Sequence, residues 1–511
     1  MKHGLLILLA ALLIFSSAAA RSNESAAKKE KSDTAQFLQK TVQSKAPEIL
    51  DVSHSVWEYA ELGYHEYKSA AKIISVLKSE GFQVEEQAGK IKTAFIARYG
   101  KGKPIIGLMA EYDALPNLGQ AAGSAVKTPR SGNRDGHGCG HNTLGAGSVG
   151  AAIAVKEYLK AKGCSGTIIL FGTPAEETGY GKAFMVKAGC FKGTDAVFAW
   201  HPSSRNSAVQ YDNNAYYRIV FTFHGVSAHA AGAPDSGRSA VDACELMNVG
   251  TNYLREHVPT SVRIHYAWTN PGGSAPNIIY DEAQLNYFVR APQITQCGEI
   301  LKRVVKIAEG AALMTGTKME YKVLGGLNSL MINSVMATVL SDALLEMGPP
   351  DFDEADNALA RQFLPKVNGK TDKTWVKNRA LSKGLSEEEF LARPLNREVV
   401  PYNKKAAPPR GFASTDDSDV SWIIPLARLN MITGVEGTST HTWEWTAQAG
   451  SSIGDKGTLA AARTLARACT ILFEKPSLIE AAKKELQKKT GGKYISPIPD
   501  GITPENPLIT D

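Results

Sequence analysis

Cysteine and histidine, both common metal ligands, lie close together in one glycine-rich loop. The segment 135–142 carries His137, Cys139 and His141, each separated from the next by a glycine. Glycine adopts backbone angles that other residues avoid, so the loop can bend tightly enough for the Cys139 and His141 side chains to converge. Thiolate and imidazole groups bind Zn²⁺ and similar ions. The loop is therefore a candidate metal-binding site.

Two later segments carry further candidate ligands. Glu176 and Glu177 are adjacent in the sequence Pro-Ala-Glu-Glu-Thr-Gly, and His201 lies between a tryptophan and a proline. Taken singly, a pair of glutamates is usually solvated and a histidine before proline is usually a turn residue. Both segments, however, directly follow an apolar run that predicts a buried strand. Parallel α/β sheets bind ligands beyond the carboxyl ends of their strands, so this placement favours a common site.

The elements that would position these residues follow a repeating pattern. Short apolar runs that predict strands occupy residues 104–110, 166–171 and 195–200, and residues 143–160 between the first two have helical spacing. This order of strand, helix and strand is typical of a doubly wound α/β sheet. We therefore predict a catalytic domain with a doubly wound mixed sheet, whose first part is residues 36–212.

The pattern changes after residue 212. Residues 213–328 follow the order strand, helix, strand, strand, helix, strand, which predicts an inserted α+β domain of the ferredoxin-like type. The first pattern resumes over residues 329–475, the second part of the catalytic domain, where residues 349–410 are charged, proline-punctuated and predicted to be a surface insertion. Residues 476–511 are predicted to be a C-terminal helix and tail.

The N-terminus has the features of an export signal. Lys2 precedes an apolar run and alanines follow at 18–20, so residues 1–20 are predicted to be a signal peptide and residues 21–35 a flexible lead. The protein is then expected to be exported, either to the periplasm or to the medium as a secreted protein. The apolar run is short for a membrane span, so no membrane association is expected after cleavage.

The composition argues against several classes of protein. Of the 511 residues, 43% are hydrophobic and 21% are charged, which indicates a globular chain of two or three domains. The net charge of +6 is small and no basic run is dense, so a nucleic-acid partner is not expected. Six cysteines in a chain of this length do not make a disulfide framework.

The candidate ligands suffice for a pair of metal ions. Two adjacent divalent cations need about five to seven protein ligand atoms and a bridging water. Four side chains come from Cys139, His141, Glu177 and His201. His441 follows another strand-like run at 430–435 and is the fifth candidate. Glu176 is not among these five ligands and can hold the bridging water as a general base. This chemistry suits amide hydrolysis.

Three strings resemble those of the M20 metallopeptidase family, in the amidohydrolase branch (branch D) that carries a His-x-Cys-Gly-His loop. These strings are residues 137–142, 174–178 and 201–202, and the resemblance extends over residues 53–473. Within the branch, strings of the inserted domain are similar to those of the p-aminobenzoyl-glutamate hydrolase group; they are residues 225–231, 256–259, 263–266 and 275–277. The resemblance thus covers most of the chain.

This resemblance implies an enzyme and its cofactors. It implies two divalent metal ions per subunit, Zn²⁺ or Mn²⁺, with Glu176 as the general base. The implied ligands are Cys139, His141, Glu177, His201 and His441. The implied reaction is hydrolysis of the amide bond of N-acyl or N-aroyl amino acids, such as p-aminobenzoyl-glutamate, or of short peptides.

The resemblance also implies roles for the inserted domain. The domain would form a homodimer, and His229 would polarise the scissile carbonyl across that interface. Asn277 and Arg290 match positions that hold the substrate carboxylate. Without the resemblance, His229 reads more simply as a surface residue, and an ion pair on the domain face is an equally good interpretation of Arg290.

One departure from the family pattern affects the metal site. Many relatives place a ligand histidine in a His-x-Asp sequence, where this chain has Glu111 and Asp113. The second cation is therefore expected to depend on the Cys139 loop, and Asp113 is expected to orient a ligand imidazole without binding metal itself. His137 either supports a ligand in a similar way or stiffens the loop.

Two other functions are compatible with the same residues. A metal-binding or scaffold homologue could keep the ligands without turnover, but it would need no spare carboxylate such as Glu176. A cysteine-nucleophile hydrolase could use Cys139 with His141, but metal ligation would block the attacking thiolate. The expected partners are thus a small acyl-amino-acid or peptide substrate and a second copy of the chain.

Overall fold

The computed structural model describes residues 32–504, apart from residues 407, 410, 412 and 413. The predicted signal peptide lies outside the described residues and stays a prediction. Helix α1, Asp33–Ser44, begins inside the predicted flexible lead, because the Ser32 hydroxyl accepts a hydrogen bond from the Ala35 amide and caps the helix. The prediction of a flexible lead is therefore wrong for residues 33–35. None of the helices in the described range is long and apolar enough to cross a membrane.

The first part of the chain alternates helices and strands. Helices α2–α6 are Ala46–Tyr59, Tyr67–Ser79, His141–Lys162, Glu176–Gly179 and Gly181–Lys187. Strands β1–β6 are Gln83–Glu86, Phe95–Lys101, Ile105–Ala110, Gly166–Gly172, Ala196–Ser203 and Asn206–Ala208. The three predicted strands and the helix between them are confirmed as β3, β4, β5 and α4.

The middle of the chain has its own sheet and core. Strands β7–β12 are Ala215–His224, Ala228–His229, Arg263–Asn270, Ile278–Ile279, Glu282–Ala291 and Lys318–Leu327. Helices α7 and α8 are Ala240–Leu254 and Ile294–Thr315. An antiparallel sheet has the order β12-β7-β11-β9, and β8 pairs with β10. The two helices pack against this sheet around Phe221, Phe223 and Tyr287.

The last part of the chain completes the first sheet. Helices α9–α16 are Ser334–Met347, Glu354–Gln362, Lys373–Ser382, Glu387–Ala392, Asp417–Ser421, Trp443–Ala449, Ser452–Glu474 and Ser477–Thr490. Strands β13–β16 are Lys366–Val367, Lys370–Thr371, Val399–Val400 and Leu426–Ile432. Single turns of 3-10 helix occupy Ala88–Lys90, Pro234–Ser236 and Arg255–His257.

One mixed sheet organises the catalytic domain. Its order is β1-β2-β4-β3-β5-β16-β6-β15, and the four strands β4, β3, β5 and β16 are parallel. Strand β2 runs antiparallel to β4, and β6 runs antiparallel to β16. The four parallel strands end at the same edge of the sheet, and ligands of such sheets bind there. The predicted α/β mixed sheet with an inserted α+β domain is confirmed.

Helix α4 is fixed on several sides by the hydrophobic core. A Cβ atom added at Gly147 would lie 2.7 Å from the Trp200 ring, so only glycine allows β5 to approach this closely. At Gly150 the added atom would lie 2.7 Å from Ile49 in α2. Because protein interiors are close-packed, this helix cannot shift without disturbing its neighbours. Its first residue, His141, therefore has a fixed position.

The segment 349–410 is more integrated than predicted. Helices α10–α12 enclose a hydrophobic cluster that contains Phe363 and Phe390 together with Val435 of the catalytic domain. Strand β15 pairs with β6 at the edge of the central sheet. The prediction of a surface insertion is therefore wrong for the inner face of this segment, because its apolar side chains pack against the domain.

Candidate metal centre

The Cys139 loop turns sharply so that two ligand side chains face the same space. Gly140 has a φ of +81° and precedes the first residue of α4, His141. A Cβ atom at Gly140 would lie 3.0 Å from Pro202, so the loop packs directly against the end of β5. Cys139 is 7% exposed and His141 is fully buried. The thiol and the imidazole therefore lie at the carboxyl edge of the parallel strands.

His201 lies near the carboxyl end of strand β5 and faces this loop. Its Nε2 atom lies 3.3 Å from the Cys139 Sγ. Its Nδ1 atom lies 2.7 Å from the carbonyl oxygen of Pro202, which accepts the hydrogen bond if Nδ1 carries the proton. That tautomer leaves the lone pair of Nε2 directed at the thiol, as metal ligation requires.

Glu176 and Glu177 lie in a strained turn after β4. The residues that flank the turn, Ala175 and Tyr180, both have left-handed φ angles, of 57° and 62°. The Glu177 amide donates a hydrogen bond of 2.9 Å to Asp113 Oδ2, which fixes the turn against the strand edge. Two adjacent carboxylates thus reach the same region of the sheet edge.

His441 joins the site from the distant last part of the chain. It lies in the loop after β16, has a φ of 61°, and donates its amide to the carbonyl of Gly138 at 2.7 Å. Its Nε2 atom is 3.4 Å from Glu177 Oε2, and its side chain is 53% exposed. The Cys139 loop therefore holds the backbone of the His441 loop directly.

These residues form two ligand groups that share one thiol. Within each group the candidate ligand atoms lie within 4.8 Å of one another. We call Cys139, His141 and His201 the inner site, and Cys139, Glu177 and His441 the outer site. The structure thus brings together all five sequence-predicted ligands. A thiolate at Cys139 lies where it can contact a cation in each site.

Asp113 and His137 occupy different surroundings. Asp113 Oδ1 lies 2.8 Å from His141 Nδ1, so the carboxylate orients the imidazole and leaves Nε2 facing the site. His137 is buried, and its Nε2 lies 2.9 Å from the backbone carbonyl of Val56 in α2. Burial lowers the pKa of His137 to about 4, so this ring is neutral. His137 therefore ties the loop to α2, whereas Asp113 acts on a candidate ligand.

Carboxylates crowd the site and perturb one another. Burial, with the carboxylates of Glu111 and Glu177, raises the pKa of Glu176 to about 8. Burial, with Asp113, raises the pKa of Glu177 to about 7 although His141 opposes it. Burial also raises the pKa of the Cys139 thiol well above its ordinary value. Positive charge added between these groups would favour their ionised forms.

Several buried atoms at the site have no hydrogen-bond partner among the described residues. They are His141 Nε2, Glu177 Oε1 and Glu111 Oε2. Buried polar atoms are normally satisfied, so each unsatisfied atom requires an explanation. Thiolate, imidazole and carboxylate donors suit Zn²⁺ and related divalent ions. The residues therefore fit a pair of divalent cations.

Sequence reasoning missed two charged neighbours of this site. Lys182 is fully buried in α6, and its Nζ lies 2.6 Å from Glu111 Oε1. Glu111 follows β3 directly and stands where many relatives have the ligand histidine of a His-x-Asp sequence, and these two signals could have marked it as a candidate. Lys182 shows no motif, and a contact between residues so far apart in the chain leaves no signal in one sequence.

His229 and Asn277 lie together on the inserted domain, apart from the two ligand groups. His229 Nδ1 accepts hydrogen bonds from the amides of Ala231 and Gly232, and the side chain is exposed. The carbonyl of Asn277 accepts the Ala230 amide across the β8–β10 pair. Among the described residues, no hydrogen bond or ion pair joins His229 to its own chain's candidate ligands.

Arg290 lies at the junction of the two domains. Its guanidinium lies over the rings of Tyr216 and Phe288, 4.9 and 5.2 Å from their centres. Its Nη1 donates to the hydroxyl of Ser414 at 3.0 Å, and its Nε lacks a partner among the described residues. The alternative of an ion pair on the domain face is therefore wrong, because aromatic rings and a hydroxyl surround the guanidinium.

Relatives of known function cover nearly the whole chain. Residues 107–503 match the model of Peptidase family M20/M25/M40. The chain is 38% identical to one subunit of the p-aminobenzoyl-glutamate hydrolase of Escherichia coli (strain K12), over 92% of this chain and 98% of that protein. It is 26% identical to the Xaa-Arg dipeptidase of Mus musculus, over 88% of this chain and 91% of that protein.

Solved structures share the fold. A dinuclear metal binding peptidase of the M20 family from Bacillus subtilis aligns with a TM-score of 0.56 at 18% identity, over 84% of this chain and 99% of that one. The aminobenzoyl-glutamate utilization protein of Klebsiella pneumoniae aligns with a TM-score of 0.53 at 19% identity, over 84% and 97%. The resemblance predicted from the sequence is confirmed: the chain belongs to peptidase family M20/M25/M40.

Proposed function

We propose that this protein hydrolyses the amide bond of N-acyl or N-aroyl amino acids of the p-aminobenzoyl-glutamate type, or of short peptides, with Glu176 as general base. Metal-dependent amide hydrolysis is the activity of its family. One observation carries the mechanism: Glu176 belongs to neither of the two ligand groups that share Cys139, yet it lies within 4.8 Å of the inner ligand His141, in a group with Glu111. A site that only stored metal would gain nothing from this additional buried carboxylate.

The cofactors in this proposal are two divalent cations, Zn²⁺ or Mn²⁺, in the inner and outer sites. When bound, they would polarise the scissile carbonyl and increase the acidity of the attacking water. Cys139 would be deprotonated, because the thiolate is the form that binds metal. His141 and His201 would bind through Nε2, since each Nδ1 already faces an oxygen atom, on Asp113 and Pro202.

The role of Glu176 depends on charge. Without cations, burial and the neighbouring carboxylates raise its pKa to about 8, so it is largely protonated at neutral pH and cannot act as a base. Nearby positive charge lowers the pKa of a carboxyl group. The ionised carboxylate then accepts the proton of the attacking water and donates it to the leaving nitrogen. Base catalysis is thereby restricted to the metal-loaded protein.

The inserted domain supplies candidates for substrate binding. The unpartnered Nε of Arg290 supports a contact with a substrate carboxylate, since a guanidinium binds carboxylates through more than one N–H. Asn277 is the second candidate for that contact. His229 is proposed to polarise the scissile carbonyl in the active site of a second subunit, because it contacts none of the candidate ligands of its own chain.

The homodimer in this proposal forms through the inserted domain. Strand β9 is an edge strand of its sheet, and open edges tend to pair with another strand. Trp268 on β9 and Tyr253 on α7 are 38% and 72% exposed, so large apolar groups lie at or near this edge. We expect light scattering to give the mass of a dimer and the double variant W268E/Y253E to give a monomer. A monomeric unmodified protein would contradict this part of the proposal.

The central test combines chelation with one variant. Purified protein is incubated with p-aminobenzoyl-glutamate and a panel of acyl amino acids, before and after chelation, beside Glu176→Gln. We expect chelation to abolish turnover, Zn²⁺ or Mn²⁺ to restore it, and Glu176→Gln to retain both cations with turnover at least about a hundredfold lower. Asp419→Asn removes a fully buried carboxylate outside the site and is the control. Undiminished turnover after complete metal removal would rule out the proposal.

The role of His229 across subunits has its own test. His229→Ala is expected to lose turnover while it retains both cations. Mixing this variant with Glu176→Gln should restore part of the activity, because one mixed active site then has both residues. Absence of rescue after verified subunit exchange would place His229 in the active site of its own chain.

The cysteine-nucleophile alternative is less well supported. Cys139 is 7% exposed, and burial raises the pKa of its thiol, so the reactive thiolate is scarce without a cation. If metal protects Cys139 from an alkylating reagent and turnover is lost on metal removal, the thiol acts as a ligand.

A further inference from the structure

Glu111 directs one carboxylate oxygen at His141 of the inner site, and Glu111, His141 and Glu176 form a further group whose candidate ligand atoms lie within 4.8 Å of one another. The residue follows β3 and its side chain is 2% exposed. Its Oε2 atom lies 3.1 Å from His141 Nε2, close enough for an ion pair when the imidazole is protonated, and neither atom has a hydrogen-bond partner among the described residues. Ligand atoms that bind one ion at about 2.0–2.2 Å are themselves roughly 3 Å apart. The spacing of these two unsatisfied atoms is that of two ligands of one cation.

The other oxygen of Glu111 is anchored. Its Oε1 accepts a hydrogen bond of 2.6 Å from the ammonium of Lys182. The carboxylate of Asp416 accepts hydrogen bonds from both the ammonium and the backbone amide of Lys182. The same ammonium lies 3.4 Å from Asp417 Oδ1. These contacts fix the lysine completely. Glu111 therefore cannot rotate to satisfy Oε2 elsewhere without breaking its bond to Lys182.

Acidic side chains outnumber basic ones around Lys182. Three buried carboxylates, on Glu111, Asp416 and Asp417, lie around one ammonium, and the Arg428 guanidinium 3.4 Å from Asp417 is the other nearby cation. The ammonium of Lys182 contacts Glu111 through Oε1, and Oε2 has no hydrogen-bond partner among the described residues. A buried polar atom without a partner is costly, and a cation beside Oε2 would offset that cost.

From this geometry we infer that Glu111 is a further ligand of the inner cation, which it binds through Oε2 beside His141 Nε2, and that Lys182 positions it. The inference rests on the dinuclear site of the proposed function and deepens it. It adds Glu111 to the five ligands that the sequence predicts. An added oxygen ligand raises the coordination number and favours harder ions such as Mn²⁺.

The test measures metal binding and ligand geometry independently of turnover. Glu111→Gln keeps the size of the side chain and removes its charge, and Asp419→Asn is the matched control because that buried carboxylate contacts Asn328 and Tyr494 instead of the site. We expect Glu111→Gln to bind one of its two cations at least about tenfold more weakly, with Mn²⁺ affected more than Zn²⁺. With Co²⁺ in the inner site, its visible d–d bands should change while the sulfur-to-cobalt charge-transfer band persists.

The outcomes separate this inference from the proposed function. Unmodified protein that binds no divalent cation would refute the proposed function itself. Two cations bound by Glu111→Gln with unchanged affinities and an unchanged cobalt spectrum would overturn the inference alone. Weaker binding with an unchanged spectrum would also overturn it, because Glu111 would then act only on the position of other ligands. Glu111→Asp keeps the charge but withdraws the oxygens by one methylene, and should change the spectrum as Glu111→Gln does.

Discussion

The inner and outer sites share one thiol but are built from different parts of the molecule. The inner site takes His141 from the first turn of a helix held in the core and His201 from a central strand. The outer site takes His441 from a loop, with its side chain 53% exposed. Packed interiors resist displacement and loops do not. The comparison indicates a firmly held inner cation and a more exchangeable outer one.

Removing one histidine from each site should have the largest and most unequal effect. We expect His201→Ala to weaken inner-site binding by more than about a hundredfold, and with it outer-site binding, since the shared thiol then stays protonated. His441→Ala should lose only one cation per chain. Metal analysis after dialysis against a weak chelator measures both. Equal retention by the two variants would contradict the comparison.

Acidity should affect the two sites differently. Asp113 raises the pKa of His141 well above its ordinary value although burial lowers it, so the inner cation must displace a proton there as well as at Cys139. Once the inner cation has ionised the thiol, the outer cation displaces a proton chiefly at Glu177, whose pKa is about 7. Each displaced proton makes affinity rise about tenfold per pH unit.

Titrations of the two cations at several pH values can check this difference. We expect outer-site affinity to fall as pH drops below about 7 and to level off above it, because Glu177 is then ionised. Inner-site affinity should continue to rise with pH above 7. A plateau at the same pH for both sites would show that neither His141 nor Cys139 holds a displaceable proton above that pH.

The order of metal loss should follow exposure. With limiting chelator we expect the outer cation to leave at least about tenfold faster than the inner one, because His441 alone among the ligands is largely exposed. Stopped-flow absorbance of the cobalt-loaded protein should therefore have two phases. A single phase that releases both cations would mean that they leave together.

The insertion fixes the loop that carries His441. Glu436 in this loop forms ion pairs with Arg379 and, at 3.2 Å, with Lys383, both from the region of α11. A Cβ atom at Gly437 would lie 2.5 Å from Pro365 and 2.7 Å from the Trp375 ring, so the loop and the insertion are in close contact. The outer site therefore depends on a segment that contributes no ligand.

Breaking this contact should have the smallest of these effects. Glu436→Gln is expected to weaken outer-site binding a few-fold, about 0.5–1 kcal/mol for partly exposed ion pairs, and to leave inner-site binding unchanged. Calorimetric titration of the outer cation, with the inner site already filled, measures this difference. Arg361→Gln breaks an ion pair on the same insertion away from the loop and is the matched control. An equal effect of both variants would show that the insertion does not stabilise the outer site.

Much of the fold and of the ligand set was accessible from the sequence. Apolar runs bounded by glycine, proline or aspartate marked β3, β4 and β5, because fully buried parallel strands read as continuous apolar segments. Glu177 and His201 could be associated because each lies near the carboxyl end of such a strand, and Cys139 because its loop joins β3 to the next helix. Strand β1 escaped prediction, since three of its four residues are exposed and the same three are polar.

The other features of the fold and of the site depend on contacts between residues that are far apart in the chain. The bond between Lys182 and Glu111 joins two elements of the sheet edge that only the folded chain brings together. The fit of Trp375 against Gly437 similarly joins the insertion to the His441 loop. His137 could be interpreted in two ways because only the fold reveals that its neighbour is the Val56 carbonyl. Local patterns carry no information about such pairings.

The shared thiol also has a mechanical consequence. All six cysteines are free, so no disulfide cross-links the beginning of the catalytic domain to its end within the described residues. Cations held by Cys139 and His441 would close a loop that encloses the entire inserted domain, and closing a long loop restricts the unfolded chain strongly. Metal would then act as a removable staple, whose stabilising effect increases with its free concentration relative to its dissociation constant. Loss of metal would therefore lower the stability of the fold as well as abolish hydrolysis.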